Sequence, residues 1–318
     1  MDLTNCSSVK EFILLGFPHV WGINIILFVI VLLLYTLSIA GNGLIIVMVR
    51  IDHRLQKPMY FFLSNLSFLE MWYTTAVVPK MLANLVSEKT TICFYCCMAQ
   101  SYFHFLFGIT EFYILTAMSF DRYVAICQPL RYSSIMTSRV CLQLALATWL
   151  GGFVTILLQT ILVVRLPYCG SNVVHHFYCD IGPVLKIAGG DTHLIEAIGF
   201  FIAVAVILGS LLLTVVSYVF IIATILRIPS SSGQQRAFST CASHLTVVSI
   251  LYGAVLFIYL RPSAKHSSFS LNKAVSMLNT VVTPVLNPFI YTIRNNEVKE
   301  ALRKSLQKKS LSFPKIRF

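Results

Sequence analysis

Long apolar stretches alternate with short polar connections along almost the whole chain. Seven of these stretches are close to the roughly 20 residues that a helix needs to cross a bilayer. A membrane β-barrel would instead show short segments of alternating hydrophobicity. The pattern therefore predicts an all-α membrane protein, a bundle of seven transmembrane helices. The predicted spans are 23–49, 58–78, 97–120, 140–164, 197–225, 238–260 and 271–293.

The composition supports this interpretation. Hydrophobic residues make up 57% of the 318 positions and charged residues only 11%, whereas a soluble domain carries about a quarter charged residues. A soluble fold could not hide so much apolar surface. We expect one domain over 1–318, with an N-terminal segment at 1–22, the helix bundle at 23–293 and a tail at 294–318.

The basic residues predict the orientation, because Lys and Arg collect on the cytoplasmic side of membrane proteins. Sixteen of the 24 lie in one set of connections and in the tail, which places the N-terminus outside and the tail inside. The net charge of +12 is then a feature of the cytoplasmic surface and not of a nucleic-acid-binding protein. In the tail, Val298, Leu302 and Leu306 share one helical face among basic residues, which predicts a short amphipathic helix bound to anionic lipid.

The N-terminal segment shows no signal peptide, since it lacks a basic start and a cleavable apolar core. Asn5-Cys6-Ser7 is an acceptor pattern for N-glycosylation, and the predicted topology places Asn5 in the lumen. The same pattern at Asn65 lies inside the second span, where we expect no glycan.

Two sets of motifs within these spans are specific. The first comprises Gly41-Asn42, Asp121-Arg122-Tyr123, Trp149 and Asn287-Pro288-Phe289-Ile290-Tyr291. The second comprises the longer runs 58–67, 118–127 and 237–245, with Ser217-Tyr218. With these motifs, the chain resembles a rhodopsin-like G-protein-coupled receptor and, within that group, an odorant (olfactory) receptor, over about residues 10–305.

The resemblance implies a receptor and not an enzyme. Its ligand would be a small, mostly hydrophobic odorant, and its partner a stimulatory heterotrimeric G protein that raises cAMP. The expected location is the plasma membrane of olfactory sensory cilia. Two alternatives stay open: a rhodopsin-like receptor outside olfaction and a membrane transporter. Against the transporter, the sequence shows no paired repeat halves.

The resemblance also implies a switch at the cytoplasmic end of the third span. Arg122 would pair with Asp121 at rest and move toward Tyr218 and Tyr291 on activation, with Tyr123 completing the motif. Taken alone, an interfacial Arg would only mark the inner boundary of a span. Arg236 and the polar run 230–235 form a short inner loop that we expect to contact the G protein.

Two carboxylates lie inside apolar spans at matching depth. Glu70 is about 18 Å above Pro58 along its helix, and Glu111 is about 15 Å above Asp121, at 1.5 Å per residue. Ionisable groups inside a membrane are costly and usually functional, so we expect a shared proton or a cation here. The resemblance favours a sodium site with Asn287 nearby. Two unrelated, neutral Glu side chains are the alternative.

The resemblance also implies a pocket in the outer half of the bundle, although an aromatic stripe at helical spacing can equally be core packing. No Asp occupies the third span near His104, so we expect no salt bridge from that helix to an amine; we expect His104 to donate a hydrogen bond to a ligand oxygen. The predicted pocket residues are His104, Phe105, Gly108, Ile109, Ile202, Val206, Tyr252, Val255, Tyr259 and Thr280.

The long outer loop, 165–196, completes the prediction. By resemblance, Cys97 and Cys179 form the disulfide that pins this loop over the pocket. The family usually has a further loop cysteine where this chain has Gly189, and the usual partner of that cysteine corresponds to Cys169. Cys169 is therefore expected to pair instead with Cys6, Cys93 or Cys96, or to stay free. His176 and Asp180 flank Cys179 in a pattern that could bind a metal, but with Cys179 in a disulfide we expect no metal beyond sodium, and no other cofactor.

Overall fold

The computed structural model describes residues 9–17, 21–260, 268–294 and 298–303, without the side chains at 236, 240, 257–260, 268–272, 293 and 294. The described chain is mainly helical, and each predicted span falls within helical residues. The helices are α1 (Trp21–Ile51), α2 (Pro58–Val86), α3 (Phe94–Cys127), α4 (Tyr132–Ile135), α5 (Ser138–Val164), α6 (Ile181–Leu185), α7 (His193–Leu226), α8 (Ser231–Leu260), α9 (Ser268–Met277) and α10 (Thr283–Arg294). A π-helical turn, Leu278–Val282, joins α9 to α10.

Local signals explain several helix ends. Pro58 occupies the first turn of α2, where its fixed φ suits a helix and its missing N–H is not needed. The Thr137 side chain accepts a hydrogen bond from the Val140 N–H at 3.4 Å and so caps α5. The helices extend beyond the apolar runs because polar residues at the two ends can continue a helix outside the hydrocarbon layer.

Five helical segments of the described chain are long and apolar enough to cross a membrane. The helix α8 adds a sixth if its two parts, which meet at 45° between Ser239 and Cys241, form one span. The helix α2 is long enough but less apolar than these five segments, because Glu70 and Lys80 lower its mean hydropathy. Its outer face nevertheless exposes Phe68 and Trp72, as a lipid-facing surface would.

A small sheet covers the end of the bundle that carries the N-terminus, and the hydrophobic pattern did not predict it. The strand β1 (Glu11–Leu14) pairs antiparallel with β2 (Thr91–Cys93) and parallel with β3 (Val173–Val174). Phe12 and Leu14 are fully buried beneath it, since alternate residues of a strand point to opposite faces. The sheet therefore ties the N-terminal segment to the long outer loop.

The helix α3 lies at the centre of the bundle and packs against α2, α5, α7 and α8. It comes very close to α5 at Gly152. A Cβ atom at this position would lie 2.0 Å from the Thr110 Oγ1 atom and 3.2 Å from the Leu106 carbonyl oxygen. Only glycine allows the two backbones to approach so closely.

Replacing Gly152 with alanine is therefore expected to destabilise the bundle. Overpacking of this kind typically costs about 1–3 kcal/mol, which should appear as a lower melting temperature of the detergent-solubilised protein. Gly209→Ala is the matched control, because nothing lies within 4 Å of a Cβ at that position of α7. A Gly152→Ala protein as stable as the control would contradict the close contact.

The first and last spans meet at the glycine of the Gly41-Asn42 motif. A Cβ at Gly41 would approach the Pro288 Cβ to 3.1 Å. Beside it, the Asn42 Nδ2 atom donates to the Pro284 carbonyl oxygen at 3.1 Å. Pro288 removes one backbone donor within α10, and the contact with α1 covers the helix where its own hydrogen bonding is interrupted.

Candidate functional site

A cavity of about 470 Å³ lies between α3, α5, α7, α8 and the last span, with α6 over it. Its volume is in the range of about 300–1,000 Å³ that is typical of small-molecule sites. The structure brings seven of the ten predicted pocket residues together in its lining. They are His104, Phe105, Gly108, Ile109, Ile202, Val206 and Val255.

The other three predicted pocket residues do not belong to the described lining. Tyr252 is buried away from the cavity; its hydroxyl donates to the Ser210 Oγ atom at 2.7 Å, and its ring packs edge-on against Phe112. Thr280 is also buried, one residue along from the lining residue Asn279. The Tyr259 side chain lies outside the described residues.

Several polar lining residues were not predicted. Gln159 comes from α5, and Asn279 from the last span. Asp180 and Glu196 come from the outer loop and from the start of α7. Glu111, predicted only as part of an ion site, also lines this cavity. Because most of these residues lie outside the apolar α3 stripe, periodicity along that helix could not identify them.

His104 is held in place by aromatic rings. Its ring stacks on Tyr73 at 4.8 Å and lies 4.5 Å from the ring of Tyr178. The side chain is only 7% exposed, and its Nδ1 atom has no hydrogen-bond partner among the described residues. A buried polar atom without a partner is costly, so Nδ1 is available to a ligand.

The outer loop is fixed over the cavity at Cys179. A disulfide joins Cys179 to Cys97 at the start of α3, with the two Cα atoms 5.4 Å apart. The Cys179 N–H also donates to the Gln100 Oε1 atom at 3.0 Å, and the Gln100 Nε2 atom donates to the Ala76 carbonyl. The loop, α3 and α2 are thereby joined at one point.

Cys169 is disulfide-bonded, so the alternative of a free thiol is wrong. Cys93 and Cys96 form a disulfide with each other. Gly189, where the family usually has cysteine, donates its N–H to the Pro167 carbonyl at 2.6 Å. A Cβ at Gly189 would lie 3.1 Å from that oxygen, so a larger residue would crowd this part of the loop.

The segment around Cys179 is engaged in a disulfide and in ring contacts. The Cys179 sulfur is committed to the disulfide. The His176 ring is buried against Phe177 and Tyr178, and burial lowers the pKa of His176 to about 3. His176 is therefore neutral at physiological pH, and its Nδ1 atom has no hydrogen-bond partner among the described residues.

The two buried acids belong to one polar cluster beneath the cavity. The Asn287 Nδ2 atom donates to the Glu70 Oε1 atom. The Glu70 Oε2 and Asn287 Oδ1 atoms are buried without hydrogen-bond partners in the described part of the chain, and so is Asn42 Oδ1. Glu111 is close enough to act electrostatically on Glu70. Buried oxygens that lack donors suit a small cation or a shared proton.

The predicted switch residues form a buried ion pair at the inner end of α3. The Arg122 Nη2 atom lies 3.7 Å from the Asp121 Oδ2 atom, and Asp121 is fully buried. The Tyr132 hydroxyl, from α4, donates to the Asp121 Oδ1 atom at 2.8 Å. The Arg122 Nε atom lies 3.3 Å from the Met59 sulfur of α2. Arg122 and Asp121 are thus paired in this structure, and the movement of Arg122 on activation stays a prediction.

Of the two tyrosines predicted to receive Arg122, Tyr218 is hydrogen-bonded elsewhere and Tyr291 is not, among the described residues. The Tyr218 hydroxyl bonds to the His244 Nδ1 atom at 2.7 Å, while His244 Nε2 lies 3.1 Å from the Leu115 carbonyl oxygen. Because that carbonyl can only accept, we assign the ring proton to Nε2 and Tyr218 as the donor to Nδ1. The Tyr291 hydroxyl is buried without a hydrogen-bond partner among the described residues.

His244 thus links α8 to α7 and α3, a role that the sequence did not reveal.

The remaining predicted residues lie at the cytoplasmic end and at the two termini. Tyr123 packs its ring against Phe220 at 6.0 Å. The Arg236 side chain and Asn5 lie outside the described residues. Residues 298–303 of the tail are helical, and Val298 and Ala301 are buried; the rest of the predicted tail helix lies outside the description.

Removing the Tyr132 hydroxyl is expected to destabilise the inner end of the bundle. A hydrogen bond to a charged group contributes about 1.5–3 kcal/mol, and Tyr132→Phe would leave Asp121 with Arg122 as its one polar partner among the described residues. We expect a lower melting temperature of the detergent-solubilised protein. Tyr113→Phe is the control, because the Tyr113 hydroxyl shares a hydrogen bond with the neutral Thr155 hydroxyl of α5, away from this pair. A Tyr132→Phe protein as stable as the control would contradict a charge-assisted bond to Asp121.

Comparisons with known proteins agree with this geometry. The family model for olfactory receptors matches residues 31–309. Olfactory receptor 6X1 of Homo sapiens is 59% identical over 96% of this chain and 97% of its own length. Olfactory receptor 6F1 of Homo sapiens and Olfactory receptor 287 of Rattus norvegicus are 53% and 52% identical, each over 96% of this chain and 98% of its own length.

These matches cover nearly the whole chain, and they include α2, which hydropathy alone does not mark as a span. Family members are multi-pass signalling receptors, not enzymes. The chain belongs to the olfactory receptor family of seven-transmembrane, G-protein-coupled receptors.

Proposed function

We propose that this receptor binds a small, mostly hydrophobic, volatile ligand in the α3 cavity and activates a stimulatory heterotrimeric G protein, which raises cAMP. The carrying observation is the order of features along α3. The disulfide anchor Cys97 is followed by the cavity residues from His104 to Ile109, then by the buried acid Glu111, and finally by the Asp121–Arg122 pair. One rigid helix thus connects the ligand cavity to the cytoplasmic surface.

The proposed mechanism is a shift between two pre-existing conformations. A ligand that binds the active conformation more tightly increases its population. In the resting arrangement, Arg122 is paired with Asp121. Activation releases Arg122 toward Tyr218 and Tyr291, with Arg236 among the G-protein contacts. For Arg122 to bind Tyr218, the Tyr218 hydroxyl must give up its hydrogen bond to His244.

The cluster of Glu70, Glu111 and Asn287 is proposed to hold a sodium ion. A sodium ion could be bound by the carboxylate oxygens and also by the amide oxygens that lack hydrogen-bond donors. A shared proton would involve only the two carboxylates and would leave the amide oxygens without a partner. The ion would stabilise the resting state by neutralising the acids. The oxygen ligands for the ion would come from three helices: Glu70 of α2, Glu111 of α3 and Asn287 of α10.

Glu111→Gln tests this proposal. With one acid neutralised, we expect the dependence of ligand potency on external sodium to disappear, while surface expression is retained. Glu88→Gln is the control, since Glu88 is exposed two residues beyond the end of α2. Sodium dependence that is the same in the variant and in the wild type would argue against an ion at Glu111.

The proposed location is the plasma membrane of olfactory sensory cilia. The N-terminus would face outward with a glycan on Asn5, and the basic tail would contact anionic lipid. Burial of Val298 and Ala301 supports a tail that returns to the bundle directly after α10.

The proposed function is tested by a cAMP reporter screen of the full chain against a diverse odorant panel in cells. Surface staining is measured in parallel. We expect at least one volatile ligand to raise cAMP in a dose-dependent way. Good surface expression without a response to any odorant would contradict the proposal, and ligand uptake without cAMP would favour a transporter.

A further inference from the structure

The described cavity lining contains carboxylates but no Lys or Arg. Asp180 and Glu196 line it outside the proposed sodium cluster, whereas Glu111 belongs to that cluster. In a partly desolvated site, a carboxylate without a counter-charge raises the energy of the empty pocket. A ligand that brings positive charge and hydrogen-bond donors would lower it.

Asp180 lies at the mouth of the cavity. It precedes α6 in the N-cap position, and no described residue forms a salt bridge with it. Burial raises the pKa of Asp180 to about 6, while the backbone N–H groups of Ile181 and Gly182 limit the rise. Asp180 is therefore mostly ionised at pH 7.4. Glu196 is exposed and accepts a hydrogen bond from the Thr192 hydroxyl at 2.8 Å.

A second, independent observation points to a ligand in the same cavity. His104 is more than nine-tenths buried, lines the cavity and has an Nδ1 atom without a partner. The Asn279 Oδ1 atom, also in the lining, likewise lacks a hydrogen-bond partner among the described residues. Asn279 Oδ1 can only accept, and His104 Nδ1 accepts when the ring proton is on Nε2.

The lining also contains the Gln159 amide, which occupies space left open by the absence of a side chain at Gly199. A Cβ at Gly199 would lie 2.2 Å from the Gln159 Nε2 atom, so a side chain at Gly199 would displace the Gln159 amide. Gln159 is buried and offers one acceptor oxygen beside its donor. The Gln159 oxygen therefore joins the Asn279 and His104 acceptors and the carboxylates in the lining.

We infer that the cavity selects small organic amines, bound as ammonium ions, and rejects carboxylates of the same carbon skeleton. This inference rests on the proposed function and specifies its ligand class. An ammonium group has three donors and no acceptor, and its hydrogen bonds to carboxylates are charge-assisted. A carboxylate ligand would add a further negative charge to a cavity whose described lining contains no Lys or Arg, which costs affinity. The apolar lining, including Ile109, Ile202 and Val255, contacts the hydrocarbon part.

The test is a cAMP dose–response of the full-length receptor to matched series of n-alkyl amines, alcohols and carboxylic acids with four to ten carbons, and to 2-phenylethylamine, 2-phenylethanol and phenylacetic acid. For at least one skeleton, we expect the amine to be at least tenfold more potent than the acid, with the alcohol between them. Asp180→Asn is expected to reduce amine potency at least tenfold while leaving alcohol potency within threefold. Asn retains the N-cap preference of Asp, so the variant should fold.

Asp191→Asn is the matched control. Asp191 belongs to the same loop but is exposed, and its Oδ1 atom accepts from the His193 N–H; its replacement should change no potency. Acids as potent as amines, or an Asp180→Asn receptor with unchanged amine potency, would overturn the inference and leave the receptor function standing. A surface-expressed receptor that responds to none of these compounds but does respond to other odorants overturns the inference as well. A receptor that responds to no odorant at all overturns both.

Discussion

Replacement of Cys97 by serine is expected to remove most of the receptor from the cell surface and to abolish its ligand response. The bond to Cys179 closes a segment of 82 residues, and loss of a native disulfide typically costs about 2–5 kcal/mol. The same bond also holds the loop that brings Asp180 to the cavity. Surface staining and cAMP dose–response curves measure the two effects.

Two control variants separate loss of the bond from loss of a thiol. Cys179→Ser should reproduce the Cys97→Ser result, because either change breaks the same bond. Cys127→Ser should behave like the wild type, since Cys127 is a free thiol whose partner, the Thr224 hydroxyl, can bond equally to serine. Normal surface expression and response in both disulfide variants would show that the loop does not depend on this bond.

Substitution of Gly108 by phenylalanine is expected to abolish the ligand response while leaving the receptor at the surface. Gly108 faces the cavity, and the nearest atom to a Cβ there is the Tyr73 Cε2 atom at 3.9 Å. A phenyl group would extend into the ligand space, so we expect potency to fall by at least 100-fold. Basal cAMP should persist, because the Asp121–Arg122 pair lies more than three turns away on α3.

The control for this change is Gly209→Phe on α7. Nothing lies within 4 Å of a Cβ at Gly209, and the residue is exposed on the outside of the bundle. This variant should keep the wild-type potency. A Gly108→Phe receptor with the potency of the wild type would place the ligand elsewhere.

The sequence predicted the helical spans well because their signal is strong. A run of about 20 apolar residues is a direct consequence of bilayer thickness, and α5 ends at Val164, as predicted. The small sheet was missed for the opposite reason. The strand β1 is only four residues long, and β3 is only two, so neither has a detectable period of its own.

The candidate site was predictable where helices carry it: seven of the ten residues expected from the resemblance line the cavity, and they come from α3, α7 and α8. His104, Phe105, Gly108 and Ile109 are adjacent on α3, and all line the cavity. The acidic group Asp180 could not be placed, because a loop position has no periodicity and depends on the tether at Cys179. The expectation that the third span supplies no salt bridge to an amine at the level of His104 stays a prediction. The acidic residues of the described lining come from the loop, from α7 and from deeper on α3.

In the inner half of the bundle, too, the sequence predicted few of the contacts between helices. The pairing of Asp121 with Arg122 could be predicted from the resemblance, because residues i and i+1 of a helix do not by themselves face each other. The hydrogen bond from Tyr132 to Asp121 crosses a turn between α3 and α4. The Tyr218–His244–Leu115 contacts join three helices. Pairings of this kind depend on the tertiary packing of separate helices, which no local pattern in one sequence encodes.

Ligand-dependent nucleotide exchange tests most directly whether a ligand in the α3 cavity drives the switch at Arg122. The full-length receptor would be reconstituted in lipid nanodiscs with a purified stimulatory G protein, and GTP exchange would be followed with and without an agonist identified in cells. We predict that the agonist accelerates exchange for the wild-type receptor and for Gly209→Phe but not for Gly108→Phe. Exchange that is unaffected by an agonist bound to the purified wild-type receptor, or accelerated equally in Gly108→Phe, would contradict the mechanism.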